Sequence, residues 1–408
     1  MEFVGKFFKD RRLWLISIVV FGLLIVVFDK NNLITTHNIL LGSLRIQEFL
    51  QTMQGDVINY QNLVHEYISN SLHTFSKLYL QDCNVRNIIA VGNQLQTFVK
   101  YLVTHHFGNL QPGDSKGNKK DSVNRQEYEE LYHAISTQAP DDLARELSIS
   151  EDKAELLLPT AMIYHNIFEE TDAEFMWLSG ITICDGMAAD FAECKEHIVP
   201  AHPFSDDIIS VSRKLAERFC CDTEHIHQVE IAALKLFDAL RKANHLTKKD
   251  RLLLQIAAIL HNCGSFLNLN DIGENSYKIV TSTEIIGLSH LEREIIANVV
   301  RYNIRDFDYD MMQLETEAGQ DLAGVSDRTA ITILIAKLTA ILRLANSMDK
   351  THKSKLIDCR MAVREGQLVI TTGYKGDLAL ESASFEQKAA FFEEIFGIRP
   401  VLKQKRRV

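Results

Sequence analysis

The sequence predicts an α/β lobe, an all-helical domain and a small α+β domain, in that order. Three observations carry this. Up to about residue 195, short apolar strands alternate with helical stretches. From about 204 to 350, apolar positions recur at 3.6-residue spacing almost without a break. After about 357, a hairpin, an amphipathic helix and a last strand complete the chain. The composition suits such a protein: 408 residues, 46% hydrophobic and 24% charged, with 6 Pro and 19 Gly. That excludes collagen-like, disordered and disulfide-framework chains and allows roughly two to four domains.

Charge and cysteine narrow the class further. A net charge of −10 excludes a general nucleic-acid binder. The seven cysteines, Cys83, Cys184, Cys194, Cys220, Cys221, Cys263 and Cys359, contain no C-x-x-C pair. They read as reduced thiols of a cytoplasmic chain, with no zinc held through cysteine.

Residues 1–29 form a basic-flanked apolar segment. Lys6, Lys9, Arg11 and Arg12 precede the uncharged run Leu13–Phe28. As a helix this run would span about 24 Å, short of a hydrocarbon core of about 30 Å. Two readings stand: buried strands, favoured by the Val and Ile content, or a membrane anchor that would tie the chain to a bilayer. The first includes a hairpin of Leu24–Phe28 and Leu33–Leu41 across Asp29–Asn32.

Residues 30–198 form the α/β lobe. Asn87–Val91 is a short strand ending at Gly92, followed by helical spacing from Asn93 to Val103. Gly92 and Asn93 are therefore candidate phosphate contacts, since a helix N-terminus offers free amides. Gln111–Asn124 is a polar surface loop, and Gln126–Ile135 is a helix. Ser150 caps the next helix, and Pro159 opens another over Thr160–Phe168. Glu174–Ile183 is extended.

Residues 199–353 form the helical domain, with helices at Asp206–Phe219, Glu224–Lys242, Lys248–His261, His290–Tyr302 and Asp327–Met348. Cys263–Thr281, rich in Gly, Asn and Ser, links helices. Residues 354–408 hold a hairpin of Arg360–Val363 and Leu368–Thr371, a helix at Ser384–Phe396 ended by Gly397, and a strand from Val401 into a basic tail.

His225, the pair His261-Asn262 and Asn346 carry the sharpest chemistry. This set resembles the HD superfamily, whose helical core arranges His, His-Asp and a late Asp around a divalent metal. Asn262 and Asn346 stand where that pattern has Asp. Two lost carboxylates predict a degenerate, empty metal site and structural roles for both histidines.

A wider resemblance covers residues 30 to 404. The stretches L-L-G-S-L-R-I (40–46), A-V-G-N (90–93), L-L-P-T-A-M-I (157–163) and I-C-D-G-M (183–187) resemble the actin-like module of the exopolyphosphatase/guanosine pentaphosphate phosphohydrolase (Ppx/GppA) family. R-L-L-L-Q-I-A-A-I-L-H-N-C-G (251–264), V-V-R-Y-N (299–303) and L-R-L-A-N-S-M-D-K (342–350) resemble its helical domain. D-L-A-L-E (377–381) and F-F-E-E-I-F-G-I (391–398) resemble the C-terminal domain of its longer members.

The resemblance implies a partial actin-like (ASKHA, RNase H-like) lobe, an HD-like helical domain and a small α+β domain. It also implies hydrolysis of inorganic polyphosphate or pppGpp with Mg²⁺. The family's first lobe, with its Asp-x-Gly-Ser-Asn-Ser loop and catalytic Glu, has no counterpart here. Its second loop, Asp-Ile-Gly-Gly-Gly-Ser, falls on Ser17–Leu23, which has one glycine and no acid. A truncated or frame-shifted start is the expectation, with activity weak or absent. The alternative is a non-catalytic polyphosphate-binding or interaction module, with homodimerisation among its roles. Arg301, His290, Lys337 and the Lys403–Arg407 cluster are its candidate polyanion contacts.

Overall fold

The computed structural model describes residues 13–19, 22–29, 32–53, 60–79, 85–92, 94–104, 122–196, 204–309, 325–364 and 366–404. The chain divides into two compact units, Met1–Pro203 and Phe204–Val408.

The first unit is built on a six-stranded sheet of order β3-β2-β1-β4-β6-β5. Its strands are β1 (Leu13–Val19), β2 (Gly22–Asp29), β3 (Asn32–Ile39), β4 (Asn87–Val91), β5 (Ser122–Asn124) and β6 (Phe175–Leu178). The apolar run of residues 13–28 therefore supplies two strands of a sheet rather than a membrane helix. β1 and β2 pair antiparallel from Leu13↔Phe28 to Val19↔Gly22. β2 also pairs with β3, while β1 runs parallel to β4. The boundary expected at residue 29 thus corrects: the segment before it belongs to the lobe, because its backbone hydrogen bonds are made there.

In β2, Leu23, Ile25 and Val27 are fully buried, the alternation expected of one core face. β4 lies between two parallel partners, β1 and β6. Its Asn87-Ile88-Ile89-Ala90 run is buried throughout, as a central strand covered on both faces requires.

Among the described residues, seven helices accompany the sheet before a further helix, α8 (Ile183–Glu196): α1 (Ser43–Met53), α2 (Tyr60–Tyr79), α3 (Gln94–Thr104), α4 (Arg125–Thr137), α5 (Pro140–Leu147), α6 (Glu151–Glu155) and α7 (Leu157–Glu169). α7 starts two residues before Pro159, which occupies its first turn. It is buried almost all round, with Leu157, Ala161, Met162, Ile163, Tyr164, Ile167 and Phe168 in the core. The Tyr128 hydroxyl donates to the Ala161 carbonyl at 2.7 Å, tying α4 to α7. The Arg125 guanidinium donates to the Phe168 carbonyl at 2.7 Å, satisfying a helix-end acceptor. Asn124 closes a capping box with Glu127.

The second unit holds α9 (Phe204–Arg218), α10 (Thr223–Leu240), α11 (Lys248–Leu260), α12 (Ile272–Ser282), α13 (His290–Tyr302) and α14 (Val325–Ser347). It also holds β7 (Arg360–Arg364), β8 (Gln367–Thr372), α15 (Ala379–Phe396) and β9 (Arg399–Gln404). α14 is the one described helix long and apolar enough to cross a membrane, but Leu338, Ile341, Leu342 and Leu344 are fully buried in the core of this unit. β7 and β8 form the expected hairpin, and β9 adds parallel to β8 after α15. α15 begins five residues earlier than the spacing predicts and ends at Gly397, in left-handed conformation with φ 67°.

The expected linker Cys263–Thr281 corrects to a 3₁₀ turn, Cys263–Phe266, followed by α12. Its glycines serve close packing. A Cβ on Gly264 would lie 2.2 Å from the Ile272 carbonyl oxygen and 2.5 Å from the Ser276 amide nitrogen. Both atoms are backbone and cannot swing aside. Gly264→Ala is expected to lower stability by about 1–3 kcal/mol or more, as overpacking does. Urea unfolding followed by far-UV circular dichroism checks this, and an unchanged midpoint would refute it.

Candidate functional site

The site expected at His225 and His261 is assembled where α10, α11 and the end of α14 meet. Asp222 caps α10, its Oδ1 accepting from the amides of Glu224 and His225 at 3.1 Å each. That fixes His225 one turn into the helix, where it is 3% exposed. His261 follows the last residue of α11 and is 2% exposed. The two rings meet with Nε2 atoms 3.3 Å apart.

The proton positions follow from the partners. His225 Nδ1 lies 2.8 Å from Oδ2 of Asp349, and His261 Nδ1 lies 2.7 Å from the Ala258 carbonyl oxygen. Both partners accept only, so both Nδ1 atoms carry the hydrogen. In two neutral rings the Nε2 lone pairs would then face each other. Burial, followed by the neighbouring His225, pushes the His261 pKa down to about 3. His261 Nε2 is therefore left as an acceptor facing His225 Nε2.

Asp349 is the residue the sequence reading missed. Asn346 was expected in the place of the late acid, but the side chain that reaches His225 is Asp349, 1% exposed. The Asp349 amide donates to the Asn346 carbonyl at 3.2 Å, a turn that carries the chain past the end of α14. The expectation that this site lacks an anion is corrected accordingly. Asp349 Oδ1 also accepts from the amides of Lys353 and Ser354, at 3.1 and 2.8 Å. The same turn holds His352 in left-handed conformation, φ 52°. The His352 ring stacks on that of His225 with centroids 3.7 Å apart, and its Nδ1 lies 2.9 Å from Asp222.

This is a buried imidazole network with one carboxylate. Mg²⁺ takes oxygen ligands in near-octahedral array, and two imidazoles offer the wrong donors. Asn262 and Asn346 are both half-buried.

The remaining candidates have surroundings of their own. Arg301 pairs with Glu274 at 2.8 Å and lies over the Tyr277 ring. Lys337 donates to the Asn244 carbonyl at 3.3 Å. His290 opens α13. Lys403 is exposed on β9, while residues 405–407 lie outside the described residues. In the first unit, Gly92 is buried after β4 with φ 145°, and Asn93 lies outside the described residues.

Residues 209–388 match the family described as Ppx/GppA phosphatase, domain III. This segment is similar to the third domain of the Ppx/GppA phosphatases. A guanosine-5'-triphosphate,3'-diphosphate pyrophosphatase of Aeromonas hydrophila is 26% identical over 180 residues, 44% of this chain and 32% of that protein. The chain thus spans about a third of the length of the curated relative it matches. Among solved structures, the Aquifex aeolicus Ppx/GppA phosphatase is similar at a TM-score of 0.38 and 10% identity, over 46% of this chain and 59% of that one. An exopolyphosphatase from Cytophaga hutchinsonii is similar at 0.37 and 12%, over 46% and 58%. The histidine network lies inside the matched Ppx/GppA segment, and so do Arg301 and Lys337.

Proposed function

We propose that this chain is a Ppx/GppA-family protein directed at phosphoanhydrides, with inorganic polyphosphate or pppGpp as the ligand. The observation that carries this is the match of residues 209–388 to the family's third domain. The order β3-β2-β1-β4-β6, with β2 antiparallel to both neighbours, supports an RNase H-like, actin-like lobe ahead of it.

The family reaction needs glycine-rich loops whose amides approach phosphate, and carboxylates that hold Mg²⁺. Here β1 and β2 are joined through Ser17–Leu23, which has one glycine and no acid, and Val19 already pairs with Gly22. Mg²⁺ does not fit this donor set, so no hydrolytic step is built on it. That stretch, with one glycine and no acid, favours a second reading for this chain by itself: polyanion binding without turnover.

The test uses the purified chain with polyphosphate and Mg²⁺. Binding is expected at low salt, weakening as ionic strength rises because exposed charges are screened. Phosphate release is expected to stay at the protein-free blank. Release above the blank would replace the second reading by the hydrolase. Absence of binding, or an affinity indifferent to salt, would remove the polyanion reading.

A further inference from the structure

We propose that His65, His165 and Glu169 form a zinc-class metal site that clamps α2 to α7 in the first unit. His165 and Glu169 lie four residues apart on α7 and so share a face. His65 reaches them from α2. One ligand atom from each residue falls within 4.8 Å of the others, the one such group among the described residues. The Glu169 carboxylate lies 3.5 Å from His65 Nε2 and 3.6 Å from His165 Nε2. Ligands held about 2.0–2.1 Å from a tetrahedral Zn²⁺ stand about 3.3 Å apart, so small side-chain shifts close the site. Two imidazoles and one carboxylate select a borderline-soft ion over Mg²⁺ or Ca²⁺.

The surroundings are those of a ligand histidine. Metal-bound imidazoles commonly turn their other nitrogen to a carboxylate, which fixes the ring and raises its basicity. Here Glu129 of α4 lies 3.2 Å from His165 Nδ1, although off line for a hydrogen bond. Tyr132, one turn further along α4, stacks on the His165 ring at 4.2 Å and 10°, holding its plane. The His165 side chain is 15% exposed, against 37% for His65 and 45% for Glu169. One ligand is thus held in the packed layer, and two face an open side where an ion enters and a water completes the shell. A pair of simple His–Glu ion contacts is the competing account.

The test titrates the chelator-treated, full-length chain with Zn²⁺ by calorimetry and repeats the titration with Co²⁺, whose visible spectrum reports coordination. One equivalent of Zn²⁺, a tetrahedral Co²⁺ spectrum and a melting temperature raised by the metal are expected. His65→Ala, at a partly exposed position, should keep its circular dichroism and lose the site. Glu129→Gln should keep the stoichiometry and bind about 10–100-fold more weakly. If the chain takes up no stoichiometric metal, or if His65→Ala binds as the parent does, the ion pairs stand and the site is overturned.

Discussion

Asp349→Ala lowers the stability of the second unit by about 3 kcal/mol or more, since each buried donor left without its acceptor costs about 1–3 kcal/mol. Three donors lose their acceptor together: His225 Nδ1–H and the amides of Lys353 and Ser354. Removing the carboxylate also leaves His225 Nδ1 without its partner, beside a His261 ring whose Nε2 stands 3.3 Å from its own. Urea unfolding followed by helical circular dichroism reads the loss. The two tryptophans, Trp14 and Trp177, both lie in the first unit and give an internal control by fluorescence. Asp349→Asn keeps the shape and an oxygen for the amides, so it should fall between parent and Ala. A loss below about 1 kcal/mol in Asp349→Ala would show that the network does not hold the turn.

The second large effect is an acid sensitivity centred on His261. Its folded-state pKa, pushed down to about 3 from an ordinary 6.5, means the folded protein stays unprotonated there at mildly acidic pH. The unfolded chain takes up that proton below 6.5. The group's contribution is therefore full above 6.5 and is lost as pH falls toward 3. The loss is at most about 1.4 kcal/mol per pH unit from this residue. Urea midpoints of the parent and His261→Gln at about pH 7.5 and about pH 5 test it. The variant should begin less stable and lose less on acidification. Equal losses in both proteins would place the acid sensitivity elsewhere.

Much of the architecture was legible because local patterns suffice for it. The 3.6-residue spacing of His290–Tyr302 matches α13 at both ends, and the helix expected from Lys248 starts there as α11. The Asn87–Val91 strand and the C-terminal hairpin also stand where the apolar runs place them. Cys263–Thr281 misled because its glycines resemble linker chemistry. Gly264 and Gly273 instead admit neighbouring backbone, an approach that only a packed structure reveals. The apolar run of residues 13–28 stayed open between strand and membrane segment, because hydropathy has no direction. Pairing with β4, some 70 residues away, decides it.

The candidate site divides in the same way. His225 and His261 were legible from their positions on apolar helices, and the missing acids at 262 and 346 were legible as letters. The acid that matters was not, because Asn346 and Asp349 stand three residues apart at a helix end and either could turn inward. The His65–His165–Glu169 group left no motif, since His65 stands 100 residues before His165 in the chain. The sequence by itself determined the order of elements, the apolar faces and the absence of a glycine-rich cradle at Ser17–Leu23. Tertiary structure alone decided which carboxylate meets His225 and which imidazoles meet Glu169. Hydrophobic periodicity is a property of neighbouring residues, whereas a hydrogen bond or a ligand sphere depends on ångström distances between segments remote in the chain.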